Sequence, residues 1–566
     1  MSIMTGRTAP LRDPAPASQR RRSLERLAFA IRETSGWRRA LIAAAAGALS
    51  VLAFAPFHLA PVLFATLPAL FWIMDGAGEE TGGRGRTRRQ AVVRAGIGGW
   101  WFGFGFHLVG LHWIGSAFLV EAERFAVFMP FAIAALPAGL AAFSGAASAT
   151  ASLVRGPVVS RVVALAVALA IAEWLRGTIL TGFPWNALGY GATWPLVLMQ
   201  SAGVLGIYGL SLWVALIGML PLALAAQRTP QWRGRDGVAL GLLVVAPMAA
   251  GAAYGSAMLA VPMPPDANAA KLRLVQPSVR QRDKFLPEKR LEIFERHINL
   301  TTKGGLEGIT HVLWPEAAMP FLALRSEEAL SRIAAALPDT TTLVAGTLRL
   351  EGPLKPAADE VQHVFNSAIA LDGRGELVAV YDKLHLVPFG EFLPLKQLFD
   401  AIGFEHLTRQ RGGFTAGRRP RRLVRVPGLP PLALLICYET VFPGETRSAD
   451  GRAGLLVNLT NDAWFGRTIG PRQHFQQARV RAVEQGVPMV RVANNGISGV
   501  IDARGRVLHQ LPLDAVGIVD AVLPMPVSQP IYARYGETAF IASLAMVAAL
   551  GLLFGLTGTR KPKPDN

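Results

Sequence analysis

Residues 432–439 read LALLICYE, an apolar run that stops at Cys437, the single cysteine of the chain. A short leucine- and isoleucine-rich run, preceded by Pro430 and Pro431, predicts a strand buried on both faces. Two other stretches have the same form: HVLWPE (311–316) ends in Glu316, and ELVAVYDK (376–383) ends in Lys383. Strands that stop at a reactive side chain hold that group on a rigid support. Around them, KLRLVQPS (271–278), TTLVAGTLRL (341–350), HVFNSAIALD (363–372), GLLVNLTND (454–462), PMVRVANN (488–495) and SGVIDA (498–503) predict further strands. Residues 285–303, 325–337 and 470–486 predict helices. Strands alternating with helices, followed by hairpins, predict a mixed α/β sandwich across 262–530.

The flanks are different material. The chain of 566 residues is 51% apolar and 17% charged. Apolar runs stand at about 39–55, 59–75, 93–114, 125–150, 158–176, 196–226, 238–261 and 538–557. Each is near the roughly 20 residues that a membrane helix needs. The expected organisation is a basic tail (1–38), seven spans (39–261), the sandwich (262–530), and a final span with its tail (531–566). Ala53-Phe54-Ala55 has the form of a leader-peptidase site, but Pro56 follows it directly, so the first run is expected to stay.

Charge then orients the frame. The net charge is +18, yet 262–530 carries 32 Lys and Arg against 27 Asp and Glu, so most of the excess lies elsewhere. Threading eight spans from a cytoplasmic N-terminus puts 22 of the outlying basic residues inside and only Arg124, Arg176 and Arg534 outside. That asymmetry predicts an extracytoplasmic sandwich, and it accounts for the basic charge without nucleic acid. The Arg-rich segment 409–425 reads as a solvated loop before it reads as a phosphate site. Glu173 and Arg176, near a span end, are expected to pair. In GGWWFGFGFHLVGLHWIG the glycines point to helix packing.

One cysteine excludes intramolecular disulfides and cysteine-based zinc or iron–sulfur sites. Taken singly, Glu316 reads as a solvated strand end, Lys383 as a surface lysine and Cys437 as a small core residue. Together they form an acyl-transfer set. A thiol needs a base and a nearby cation to become a nucleophile, and a lysine ammonium can stabilise the oxyanion that follows. His385 is read as packing.

WPE at Glu316, YDKLHLVPFGEFLP around Lys383 and ICYE at Cys437 resemble the motifs of the nitrilase, or carbon–nitrogen hydrolase, superfamily. LVNLTNDAWFG, HFQQARVRAVEQGVPMVRVANNGISGVID and AEWLRGTILTGFPWNALGY (172–190), with the membrane frame, are similar to the apolipoprotein N-acyltransferase family from about residue 40 to 557. The resemblance implies a multi-span helical membrane domain with an inserted nitrilase-like α-β-β-α sandwich. It implies Glu316 as general base, Lys383 as oxyanion stabiliser and Cys437 as nucleophile. Glu391 matches a second glutamate, Tyr438 and Glu439 essential neighbours of the cysteine, and Asn366 a site-lining asparagine. Either glutamate also reads as a structural group that orients its neighbours. Phe285 stands where the family carries a tryptophan, which puts any indole N–H role in doubt.

The implied reaction moves a fatty acyl group from a phospholipid, through a Cys437 thioester, to the free α-amine of the S-diacylglyceryl-cysteine of an apolipoprotein. The implied setting is the bacterial inner membrane, with the catalytic domain on the periplasmic side, a monomeric chain, no cofactor and no metal. One rival reading is a membrane-anchored amidase with water as acceptor. Another is a transporter or scaffold with a degenerate domain, which the filled positions 316, 383 and 437 disfavour.

Overall fold

The computed structural model describes residues 16–78, 87–222, 234–263, 269–352, 362–394 and 413–558. The start of the basic tail, the basic stretches within 79–86 and 223–233, residues 409–412 of the Arg-rich segment and the tail from 559 lie outside the described residues.

Every apolar run contains a helix. After α1 (Pro16–Glu33), these are α2 (Gly36–Ser50), α3 (Leu63–Asp75), α4 (Arg88–Gly110), α5 (Met129–Ala151), α6 (Val158–Thr178), α7 (Ala202–Gly218) and α8 (Gly234–Ala260). Near the chain end the run at 538–557 folds as Thr538–Gly558. Among the described residues three helices are long and apolar enough to cross a membrane: Ala122–Ala151, Val158–Thr178 and Ala202–Leu222. Ala60–Asp75, Val244–Ala260 and Thr538–Leu553 are shorter apolar helices.

Local chemistry sets these helices. Thr87 and Gln90 form a reciprocal capping box at the start of α4, satisfying backbone donors that a helix start leaves open. The glycines of α4 are contact points. A Cβ at Gly105 would run into the Ala44 carbonyl of α2, and one at Gly99 into Ser148 Oγ of α5. Close backbone approach of this kind packs helices where lipid removes the hydrophobic drive.

The sandwich follows the strand pattern. Six strands, β1 (Lys271–Gln276), β2 (His311–Leu313), β3 (Thr342–Glu351), β4 (His363–Leu371), β5 (Leu377–Asp382) and β11 (Gly517–Val522), lie in the order β11-β1-β2-β3-β4-β5. The other five, β6 (Leu432–Ile436), β7 (Leu455–Thr460), β8 (Met489–Ala493), β9 (Ser498–Ile501) and β10 (Val507–Leu511), lie in the order β10-β9-β8-β7-β6. β1, β2 and β3 run parallel, as do β6, β7 and β8.

β6 shows how the layers are built. Leu432, Leu434 and Ile436 enter the core between the sheets, while Ala433 and Leu435 join the core on the opposite face. Alternation by two sends successive side chains to opposite faces, and each fully buried Leu or Ile contributes about 1.5–3 kcal/mol. α9 (Arg290–Thr302) and α10 (Glu327–Ala336) cover the six-stranded sheet with Phe294, Ile298 and Ile333. α11 (Gly470–Gln485) covers the five-stranded sheet with Ala478 and Ala482. The sequence-based strands and helices are all present. β10 and β11 are additional, and β11 closes the six-stranded sheet against β1.

Candidate active site

Cys437 is the first residue past β6, and its φ of +50° bends the chain sharply. A non-glycine residue in this region needs surrounding structure to hold it. Glu439 supplies much of that hold. Its carboxylate accepts from the backbone N–H of Ile436 (2.7 Å), Leu384 (2.9 Å) and His385 (3.2 Å), from the Tyr381 hydroxyl (2.8 Å) and from Arg421 Nη2 (2.9 Å). With so many donors around it and no exposed surface, Glu439 organises the turn.

A second clamp lies beneath the cysteine. His474 Nε2–H donates to the Cys437 carbonyl at 3.2 Å. Burial first, and then Arg491, lower the His474 pKa. Its Nδ1 lies 2.9 Å from Asp462 Oδ1 and 3.0 Å from Arg491 Nη2. Burial raises the Asp462 pKa, but the charges of Arg491 and His474 outweigh it and hold the carboxyl well below the usual range. Asp462 accepts from Arg491 at 2.8 Å.

The third group is the reactive-looking one. Glu316 stands past β2, in a turn where Ala317 has φ +45°. β3 approaches this turn so closely that a Cβ at Gly346 would come within 2.6 Å of Glu316 Cα. Lys383, past β5 and 1% exposed, donates to Glu391 Oε1 at 2.9 Å and lies 3.7 Å from Glu316 Oε1. Asn366 Nδ2 bridges both carboxylates, at 2.8 Å to Glu316 and 2.9 Å to Glu391. Glu391 also accepts from the Val387 backbone N–H at 2.8 Å. The structure thus brings Glu316, Lys383, Glu391 and Asn366 into one buried cluster.

The electrostatics have one sense. Burial raises the Glu316 pKa. Burial alone would lower that of Lys383, but Glu391 and then Glu316 raise it, keeping the ammonium charged. Burial first and the Glu316 carboxylate next push Cys437 up to about 12, against the pull of Lys383. At rest the site therefore holds a thiol near a carboxylate of raised proton affinity and a permanent cation, the arrangement that general-base activation of a thiol requires. Among the described residues no group of three or more His, Cys, Asp or Glu side chains could hold a metal ion.

Tyr438 turns the other way, toward the helical region. Its hydroxyl donates to the Gly182 carbonyl at 3.2 Å, and it shares an apolar cluster with Trp113, Trp185 and Phe442. Arg176 and Glu173, expected to pair, turn to backbone in this same segment. Arg176 Nη1 donates to Phe183 O (2.5 Å) and Trp185 O (2.8 Å), and Glu173 accepts from the Leu188 N–H (2.8 Å). α11 continues the contact: Gln473 accepts from Trp185 Nε1 (2.7 Å), and Glu484 accepts from the N–H of Ile207 (2.9 Å), just past the kink at Gly206. His385 stacks on Phe442 at 3.8 Å. Phe285 is 38% exposed and Phe389 56%, so neither belongs to the buried cluster.

Sequence reasoning missed Lys284, His474, Asp462 and Arg421. His474 and Asp462 lie inside the motif stretches read above, yet nothing local distinguishes a polar residue beneath Cys437 from one on the surface. Lys284 is one position from Phe285, and its burial is a property of the folded loop alone.

Residues 271–532 match the profile of the carbon-nitrogen hydrolase family, so the fold and site define a carbon–nitrogen hydrolase domain. The profile of the apolipoprotein N-acyltransferase N-terminal domain matches residues 46–220. The apolipoprotein N-acyltransferase of Rhodopseudomonas palustris is 43% identical over 540 residues, 94% of this chain and 98% of its own length. That of Bradyrhizobium diazoefficiens is 44% identical over 93% of this chain and 97% of its own. A solved amidase from Nesterenkonia sp. is 20% identical, covering 49% of this chain and 97% of its own, with a TM-score of 0.34. The chain belongs to the apolipoprotein N-acyltransferase family.

Proposed function

We propose that this protein transfers a fatty acyl group from a membrane phospholipid, through a thioester on Cys437, to the free α-amine of the N-terminal S-diacylglyceryl-cysteine of apolipoproteins. The observation that carries the reading is the buried Glu316–Lys383–Glu391–Asn366 cluster beside a strained cysteine turn, docked by Tyr438 onto the helical region. Relatives bearing the acyltransferase name over nearly their full length favour an amine acceptor over water.

In this reading Glu316 takes the Cys437 proton as Sγ attacks the ester carbonyl. Lys383 Nζ faces the oxyanion. The carbon–oxygen bond breaks, protonated Glu316 returns its proton to the departing alkoxide, and a lysophospholipid leaves. The acceptor amine then attacks the thioester, Glu316 takes the amine proton, the carbon–sulfur bond breaks, and Cys437 recovers a proton. Glu391 and Asn366 position Lys383 and Glu316. Both substrates are confined to a bilayer, so helices that hold the cavity at its surface convert encounter into lateral diffusion.

The frame belongs to the same proposal. Eight spans flank a catalytic region at 262–530, with the tail 1–38 and the end of 531–566 in the cytoplasm, in a bacterial inner membrane. The catalytic face is periplasmic and the chain acts as a monomer. Reporter enzymes active only outside the cytoplasm work when fused within 262–530 and fail within 227–237; the reverse pattern overturns this orientation.

The chemical test uses the single cysteine. Incubated with phospholipid and no acceptor, the enzyme gains one fatty-acyl increment in intact mass, removed by neutral hydroxylamine and discharged by a diacylglyceryl-cysteine peptide. Cys437→Ser abolishes the labile increment. Acyl transfer without any increment replaces the covalent route by direct transfer, and discharge by water as fast as by peptide replaces the acyltransferase by a hydrolase.

A further inference from the structure

The acylation sequence above employs one lysine, yet a second is buried in the same region. Lys284 is 2% exposed, and its Nζ donates to the backbone carbonyl of Glu316 at 2.8 Å. It lies in the loop after β1, whose next residues, Phe285 and Leu286, are 38% and 39% exposed. A lysine rarely gives up water without a partner of opposite charge or a functional reason. Here its hydrogen-bond partner is a neutral carbonyl, in the turn that carries the carboxylate opposite Lys383. The titratable groups that act on it or on which it acts are Glu316, Cys437 and, from α9, His297.

We infer that Lys284 is a positioning residue of the acyl-transfer site: it pins the Glu316 turn through the main chain and supplies a second positive charge that makes ionisation of Cys437 easier. The charge balance explains why one lysine is insufficient. Glu316 and Glu391 bring two negative charges, and Lys383 answers one of them. With Lys284 charged, the cluster is neutral before and after the proton passes from Cys437 to Glu316. Without it, the thiolate forms beside an uncompensated negative charge in a water-poor site, where such charges interact strongly. Burial lowers the Lys284 pKa to about 8, partly offset by Glu316 and Cys437, so this contribution fades in mildly alkaline solution.

The inference rests on the proposed role of Glu316 and Cys437, and its test is independent of acyl transfer. The full-length enzyme in detergent is alkylated with iodoacetamide, and Cys437 is the only cysteine that reacts. Lys284→Met removes both charge and donor, whereas Lys284→Gln keeps a donor for the Glu316 carbonyl. Both are expected to slow alkylation at pH 7, where Lys284 is charged, by about tenfold, corresponding to about one unit in the thiol pKa, with Lys284→Gln retaining more of the acyl-enzyme formation rate than Lys284→Met. In the wild type, the rise of alkylation with pH is expected to flatten as Lys284 discharges and to steepen again above it. The variants lack that inflection. Unchanged alkylation in both variants, with a wild-type profile free of any inflection, overturns the inference. If neither variant folds, the wild-type profile alone decides: an inflection supports the charge role and a smooth profile rejects it. Normal Lys284 behaviour with no acyl-enzyme under any condition would instead indict the acyltransferase reading.

Discussion

Two buried ionic clusters border the Cys437 turn, each a glutamate with a basic partner, and yet they are put to different use. In one, Glu439 is held by Arg421, the Tyr381 hydroxyl and three backbone N–H groups. In the other, Glu316 has Asn366 at hydrogen-bond distance and Lys383 further off at 3.7 Å. A carboxylate surrounded by fixed donors is a structural clip, because moving a proton to it would break several bonds at once. A carboxylate with few partners, whose pKa burial raises, can accept a proton at little structural cost. Burial and charge alone do not separate the two. The number of committed hydrogen bonds does.

The largest test of this contrast is Glu316→Gln, which keeps the shape and removes the base. Acyl-enzyme formation should fall about 10²–10⁴-fold, the usual weight of general-base catalysis, with a melting temperature close to wild type. A comparable fall in melting temperature would place Glu316 with the clips. Next is Lys383→Ala, expected to cost about 10²–10³-fold in turnover, as for loss of an oxyanion donor. Lys383→Arg should also be poor, since a planar fork cannot occupy a site fitted to an ammonium; near-normal turnover in that variant would reduce the lysine to diffuse charge.

Glu439→Gln should show the opposite signature. It leaves Arg421 short of a partner, a change that typically costs about 3–5 kcal/mol of stability, while the protein that remains folded keeps most of its turnover. Thermal unfolding against specific activity separates the two effects, and a stable but inactive Glu439→Gln would move this residue into the chemistry.

The smallest effect is acid sensitivity. Asp462 and Glu445 both have folded pKa values held below those of the unfolded chain, despite burial, by Arg491 and His474 in one case and by His385, Arg421 and Arg419 in the other. Groups of this kind add stability above the unfolded carboxylate pKa of about 4, and that stability is lost as pH falls toward the lowered folded values. Melting temperature should be level from neutral pH to about 5 and then fall, and Asp462→Asn should shallow the acid limb. A limb unchanged in Asp462→Asn would assign the acid loss to other carboxylates.

How far the site could be read in advance depended on where each residue stood relative to its own strand. Glu316, Lys383 and Cys437 each end an apolar run, so their sequence neighbours reveal both their support and their direction. β10, VLHQL, escaped because an exposed edge strand with polar residues lacks the buried pattern of its neighbours. Glu173 and Arg176 act on each other's charge, as expected, but without a direct ion-pair contact. Three residues apart on a helix they look like partners, but their hydrogen bonds go to carbonyls and an N–H of the loop at 183–188.

The sequence by itself determined the helices, most of the sandwich strands and the three strand ends that carry Glu316, Lys383 and Cys437, because periodicity and strand termination are local properties. Only the tertiary structure decided which buried charges are committed and which are spare. Glu439 and Glu316 lie 123 positions apart, and their difference comes from donors delivered by other elements: Arg421 and the Leu384 backbone to one, Asn366 and Lys383 to the other. Lys284 and His474 reach the site the same way, from a loop and a helix that only the fold brings beside Glu316 and Cys437.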